Sequence, residues 1–325
     1  MPKDPIHIGS VLVNPPTSQS IIWTNMSSSF LGKMTGTPSI TVEKKSGLHL
    51  SGGDKLSRFF LFDNAIGTRG PRGRGIMIGY DSDTILTSTK ILLQYDSKIP
   101  DHWIYWQFIE PLAFLLNLKS GIFFVHSASF VLGTSAVLFG WTHIGKTQTI
   151  LKFIESGAKI LSDDWTGFSQ RGLIGYTGLV KLSTSNIANY PHLENLGMKI
   201  SNNRLISMDT LGAEKIESSV VDLIFDIRRY EGTGAKLLES NKAHLKMRMI
   251  STFAYMIQHY IGEAVSASQY GYEGEQPEVG TYINIMGEEI LQPVLDVSRT
   301  FDLICGYGSE ESLVSEIKRC LAIGT

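Results

Sequence analysis

The run Gly140-Trp141-Thr142-His143-Ile144-Gly145-Lys146-Thr147 constrains this chain more than any other stretch. It fits the pattern G-x-x-x-x-G-K-[ST] at every fixed position. Each fixed residue has a mechanical task in gripping a polyphosphate. The glycines let the backbone wrap an anion with its N–H groups turned inward. Lys146 would reach the β- and γ-phosphates, and the Thr147 hydroxyl would hold Mg²⁺. Such a loop must leave a strand and open a helix, so that the helix N-terminus also faces the anion. The competing reading is an ordinary strand-to-helix turn that contains Gly and Lys, and the flanks decide between the two.

The flanks favour the loop. Ser135-Ala136-Val137-Leu138-Phe139 is a short apolar run of the kind that forms a buried strand. After Lys146, the residues Ile150, Leu151 and Ile154 repeat at helical spacing, and Gly157 is a natural stop. The order is strand, glycine loop, helix, and Gly140–Gln148 is read as a nucleoside triphosphate-binding loop.

With 325 residues the chain can form two domains or one large one. It is 42% hydrophobic and 18% charged, which supports a packed core. A net charge of −2 provides no global field toward nucleic acid or a membrane surface, and neither is expected as a partner. The cysteines are Cys305 and Cys320, too few for a disulfide framework or a zinc site and suited to a reducing cytoplasm. The start, Met1 to His7, lacks the basic and apolar regions of a signal peptide, so a cytoplasmic location is expected. The apolar run Ile104–Leu118 has 15 residues, against about 20 needed to cross a bilayer. Glu110 and Pro111 interrupt it, and a buried helix bent or restarted at Pro111 is expected.

Residues 1–100 form a β-rich region. Its strand-like runs are Ser20–Trp23, Ser39–Glu43, Arg58–Phe62, Gly75–Tyr80, Thr84–Thr87 and Lys90–Tyr95, punctuated by Gly52-Gly53-Asp54 and Arg69–Gly75. Three arginines among glycines in Arg69–Gly75 can bind phosphates, RNA or an acidic substrate, but a solvated hairpin loop is the plainer reading. Residues 101–325 read as one α/β domain. It opens with a helical stretch, Asp101–Lys119, and a strand, Ile122–Val125, ending at His126. Strands follow at Ser127–Leu132, Ala158–Ser162 and within Gly172–Leu182. Asn241–Ile261 is an amphipathic helix, Arg299–Cys305 a late strand, and Ser309–Ala322 a closing helix with Ser309 as its N-cap.

Asp163-Asp164 follows the strand after the loop helix. Two carboxylates at a strand end can divide the work of phosphoryl transfer, one helping to hold Mg²⁺ and the other accepting the proton of an attacking hydroxyl. A helix N-cap or a solvated turn would use the same residues. His126 could ligate a metal or contact phosphate; a core histidine would look the same. Arg228-Arg229, after Val220–Ile227, could clamp transferred phosphate or lie on the surface as a pair.

The order Val125-His126-Ser127-Ala128, then Gly140 to Thr147, then Glu155-Ser156-Gly157-Ala158-Lys159-Ile160-Leu161-Ser162-Asp163-Asp164 resembles the HPr serine kinase/phosphorylase family over roughly residues 104–185. It is most similar to stand-alone HPr-kinase-like proteins such as the tailoring kinases of lasso peptides. The resemblance implies a phosphoenolpyruvate carboxykinase-like P-loop core carrying a β-rich N-terminal region. It implies ATP and Mg²⁺ as cofactors, Lys146 on the β- and γ-phosphates, and Thr147 and Asp164 on the metal. Asp163 would be the base, a role it could exchange with Asp164, and His126 would sit at the metal or phosphate end. The sequence departs from the family at the loop tip, where Trp141, Thr142 and His143 replace small residues and a glycine. His143 there could touch the γ-phosphate or point outward. The family's Glu-Ile-Arg-Gly signature is absent, and Leu193-Glu194-Asn195-Leu196-Gly197 is a faint echo that makes Glu194 a metal candidate. The implied activity is Mg-ATP-dependent transfer to a Ser or Thr hydroxyl of a peptide or protein other than HPr. A small-molecule kinase, a phosphohydrolase or phosphorylase, and a nucleotide-binding regulatory module are the alternatives. The resemblance leaves homo-oligomerisation open.

Overall fold

The computed structural model describes residues 6–16, 38–51, 53–56, 58–176, 179–200, 203–270, 277–306, 308 and 310–323. The expected run Ser20–Trp23, Gly52 and the expected N-cap Ser309 lie outside them. The fold is mixed α/β, and the chain divides into two compact units, Met1–Ile122 with Phe253–Met286, and Phe123–Thr252 with Gly287–Thr325. Among the described residues no helix is long and apolar enough to cross a membrane.

The first unit holds a sheet formed, among the described residues, by β1 (Ile6–Ile8), β2 (Val11–Asn14), β3 (Ser39–Lys45), β4 (Asp54–Leu56), β5 (Phe59–Phe62), β6 (Ala65–Arg69), β7 (Gly75–Tyr80) and β8 (Lys90–Asp96). Its spatial order is β1-β2-β3-β8-β7-β6-β5-β4. Alternation sets the faces: Ile91, Leu93 and Tyr95 of β8 are buried, while Lys90 and Leu92 are exposed. Arg69–Gly75 is the hairpin connection between β6 and β7.

The expected strand Thr84–Thr87 is instead a turn. Its hydroxyls compete with a ladder for backbone groups: Thr87 Oγ1 donates to Thr84 O at 3.1 Å, and Ser88 Oγ donates to the same carbonyl at 2.8 Å. Asp81 closes the loop by accepting from the N–H groups of Thr89 and Lys90 at 2.8 and 2.9 Å.

The apolar stretch after β8 forms helices α1 (Asp101–Ile104) and α2 (Glu110–Leu118), joined by a π turn over Tyr105–Ile109. Proline has no N–H to donate and crowds the preceding turn. The chain accommodates Pro111 by widening that turn, so that Glu110 N–H bonds Tyr105 O, five residues back. The helix is therefore altered before Pro111 rather than restarted at it.

Asn117 of α2 is fully buried and ties the helix to the β1–β2 turn. Its Oδ1 accepts from Ser10 N at 2.8 Å and Ser10 Oγ at 3.0 Å, and its Nδ2 donates to Ile8 O at 2.7 Å and Ala113 O at 2.8 Å.

Among the described residues the second unit contains three sheets. The largest comprises β10 (Ser127–Leu132), β11 (Thr134–Phe139), β12 (Lys159–Ser162), β19 (Leu223–Tyr230), β20 (Ala235–Glu239) and β21 (Arg299–Gly306), in the order β12-β10-β11-β19-β21-β20. A second joins β9 (Phe123–Val125), β13 (Thr166–Ser169), β14 (Gly172–Ile174) and β18 (Ser218–Ser219). A third joins β15 (Val180–Leu182), β16 (Met198–Ile200) and β17 (Asn203–Ile206).

Helix α3 (Lys146–Glu155) packs Ile150 and Phe153 against one face of the largest sheet, where Phe130 and Phe153 stack with centroids 4.2 Å apart. Gly157, at φ +81°, ends α3: Ala158 N bonds Phe153 O at 3.0 Å and Gly157 N bonds Ile154 O at 2.9 Å. Helices α4 (Lys242–Ile257) and α5 (Val279–Val297) follow, and α6 (Glu310–Ile323) closes the chain with Leu313 and Ile317 in the same core as α3.

Replacing Asn117 with Leu leaves the buried Ser10 N–H without its acceptor, while Ile8 O keeps its pairing with Val11. At about 1–3 kcal/mol for one orphaned buried group, we expect a loss of about 1–3 kcal/mol, read as a lower urea midpoint for the first unit. An unchanged midpoint would show that Asn117 is not the tie described.

Candidate functional site

Strand direction brings the candidate residues to one edge of the largest sheet. β11 and β12 are each antiparallel to β10, which lies between them, so they run the same way. β19 is parallel to β11, and β21 is parallel to β19. The C-terminal ends of these four strands and the N-terminal end of β10 therefore share an edge. Gly140, Asp163-Asp164 and Gly306 leave or end three of these strands there, Arg229 is the last residue but one of β19, and His126 immediately precedes β10. In open α/β sheets this is the edge at which ligands bind.

The loop leaves β11 at Gly140 and enters α3 at Lys146. Trp141, Thr142 and His143 are exposed, while Ile144, Thr147 and Gln148 are half-buried. Gly145 takes φ +96°, a conformation that glycine adopts without steric cost. Lys146 is only 6% exposed, and its Nζ donates to Gly140 O at 2.7 Å and Trp141 O at 3.0 Å. Burial pulls its pKa down to about 8, while Asp164 and Asp163 act in the opposite direction.

The two aspartates differ sharply in surroundings. Asp163 is 7% exposed and accepts from Thr147 Oγ1 through Oδ2 at 3.3 Å. Its Oδ1 is buried with no hydrogen-bond partner among the described residues. Burial, then the charge of Asp164, push its pKa up to about 7, against Thr147 and Lys146. Asp164 has a side chain 61% exposed, and its Oδ1 lies 2.8 Å from His126 Nε2. Desolvation raises the Asp164 pKa, but the charge and hydrogen bond of His126, then Lys146 and Lys181, outweigh it and hold the group below the ordinary carboxylate value. His126 is buried, its ring 5.0 Å from that of Trp165.

Buried hydroxyls support the turn that carries the pair. Ser129 Oγ and Ser162 Oγ lie 3.0 Å apart, Ser162 Oγ and Thr166 Oγ1 2.6 Å apart, and Thr166 Oγ1 donates to Ser129 Oγ at 2.9 Å. They link β10, β12 and β13 on either side of Asp163-Asp164. Their only mark in the sequence is a set of hydroxyl residues in and beside otherwise apolar strands, which no motif links to the aspartates.

Arg229 is not half of a surface pair. It is 6% exposed, and its Nε donates to Ile144 O at 3.0 Å, Nη1 to Gly306 O at 2.6 Å, and Nη2 to Glu310 at 3.2 Å. It joins the loop, the end of β21 and the start of α6. A Cβ on Gly145 would stand 2.7 Å from Arg229 Nη2, so the guanidinium fills the space a side chain would need. Arg228 pairs with buried Asp226 at 2.9 Å and with Asp302 at 3.2 Å, and Arg248 also reaches Asp226.

Glu194 is exposed on the turn after Pro191–Leu193, and no hydrogen bond or ion pair among the described residues joins it to the aspartates. Nor do the described residues gather three or more His, Cys, Asp or Glu into a metal-holding group. A hard cation that keeps phosphate and water ligands needs less. The Thr147 hydroxyl beside a buried Asp163 oxygen that lacks a partner fits Mg²⁺ in that mode. The chain matches no model of a known protein family and no curated protein.

Arg229→Gln should destabilise the second unit by about 2–4 kcal/mol, because the Ile144 and Gly306 carbonyls lose their donor and the half-buried Glu310 its charge partner. Glu310→Gln, at a more exposed site, should cost less. Denaturant titration of both variants checks this, and equal losses would contradict the buttress role.

Proposed function

We propose that this chain is a Mg-ATP-dependent phosphotransferase on an HPr-kinase-like core, moving the γ-phosphoryl group to a hydroxyl of a peptide or protein. The observation that carries the reading is the Thr147–Asp163 contact beside the Lys146 loop, with one buried Asp163 oxygen unpartnered. A strand-to-helix turn with no ligand has no need of a buried lysine within electrostatic range of two carboxylates.

Lys146 would release the Gly140 and Trp141 carbonyls and turn its ammonium to the β- and γ-phosphates, with the loop amides and the N-terminus of α3 binding the remaining oxygens. Mg²⁺, held by Thr147 and Asp163, would neutralise charge on the phosphates when bound. Asp164 accepts the proton of the acceptor hydroxyl as that oxygen bonds to the γ-phosphorus and the bond to the bridging oxygen of ADP breaks. His126, hydrogen-bonded to Asp164, orients it. This exchanges the roles expected of the two aspartates from sequence, and exposure is the reason. Asp164 reaches solvent where an acceptor would enter, while Asp163 is closed off beneath Thr147.

Incubation with Mg-ATP and a pool of Ser- and Thr-containing peptides, read by mass spectrometry, should show added phosphate. Lys146→Ala and Asp164→Asn should each lower the rate by about 10²–10⁴-fold while the protein stays folded by circular dichroism. Removing Mg²⁺ with EDTA should abolish transfer. Wild-type rates in either variant would sink the role given to that residue.

A further inference from the structure

His143 stands at the exposed loop tip with φ +64°, in the left-handed region. Among the described residues, only Arg72 and His143 adopt positive φ without being glycine. Arg72 lies in the β6–β7 hairpin. His143 lies three residues before Lys146, in the loop whose lysine and neighbouring carboxylates form the site. Glycine fits such a backbone without cost, and a side chain kept there at a functional loop points to a use for the side chain. Packing does not supply that use: the imidazole is exposed and makes no hydrogen bond or ion pair with the described residues.

Resting on the phosphotransferase reading, we propose that His143 is a γ-phosphate contact, an imidazole N–H donor that the left-handed backbone presents to the transferring phosphoryl group. The loop amides and Lys146 serve the phosphates from within the loop. His143 adds a donor from its outer tip, where charge spreads over the γ-phosphoryl oxygens as the bond to ADP loosens. No proton moves to or from the ring in this role. The contact exists only when a γ-phosphate is present, so it distinguishes ATP from ADP. Asn would replace it in part, because its amide donates and its backbone tolerates positive φ.

The test compares His143→Gly and His143→Asn with the wild-type chain, using calorimetric titration with Mg-ADP and with the non-hydrolysable ATP analogue AMP-PNP. His143→Gly relaxes the backbone, so its melting temperature should stay level or rise. Its affinity for ADP should remain within about twofold of wild type, while its affinity for AMP-PNP should fall about tenfold, the size of a lost charge-assisted hydrogen bond. His143→Asn should recover part of that loss. An unchanged AMP-PNP to ADP ratio in His143→Gly overturns the contact and leaves the phosphotransferase reading standing. Failure of the wild-type chain to bind either nucleotide overturns both.

Discussion

Lys146 carries its ammonium into the protein at 6% exposure, where a charge must be answered by its surroundings. Two loop carbonyls answer it by hydrogen bond, and Asp163 and Asp164 answer it by charge. Asp163 is itself nearly closed off, with Thr147 as its one described hydrogen-bond donor. A buried cation and a buried acid with a free oxygen are costly to keep for stability alone. On the proposed function, a polyanion and a hard cation would answer the charge and the free oxygen that the protein leaves open.

Keeping these groups at close range requires a stiff frame. The direction of the strands supplies most of it, since one edge collects the ends of β11, β12, β19 and β21 and the start of β10. Hydroxyls of Ser129, Ser162 and Thr166 hold the turn carrying the aspartates from beneath. Arg229 holds the loop from its other side and links it to α6 through Glu310. Gly145 therefore serves two ends, admitting the φ of the helix entrance and making room for the guanidinium.

Local signals carried much of this in the sequence. The loop, its strand and its helix were legible because the pattern spans a few residues and its glycines have fixed tasks. Asp163-Asp164 stood out because it ends a strand beside that loop. Arg229 could be noticed but not interpreted: its partner Ile144 lies 85 residues away, and only the pairing of β19 with β11 brings them together. Thr84–Thr87 misled because a β-branched composition fits a strand and a hydroxyl-closed turn equally well. The chain's course through β1 and β2 depends on Asn117, more than 100 residues later, and no local pattern announces it.

The most direct test of the central claim is a crystal structure of the chain with Mg-ADP. A cation is expected at about 2.1 Å from Thr147 Oγ1, bound to Asp163 directly or through one ordered water, with Lys146 Nζ turned from the Gly140 and Trp141 carbonyls to the β-phosphate. Nucleotide bound away from Gly140–Thr147, or Lys146 still bonded to both carbonyls with the phosphates in place, would contradict it.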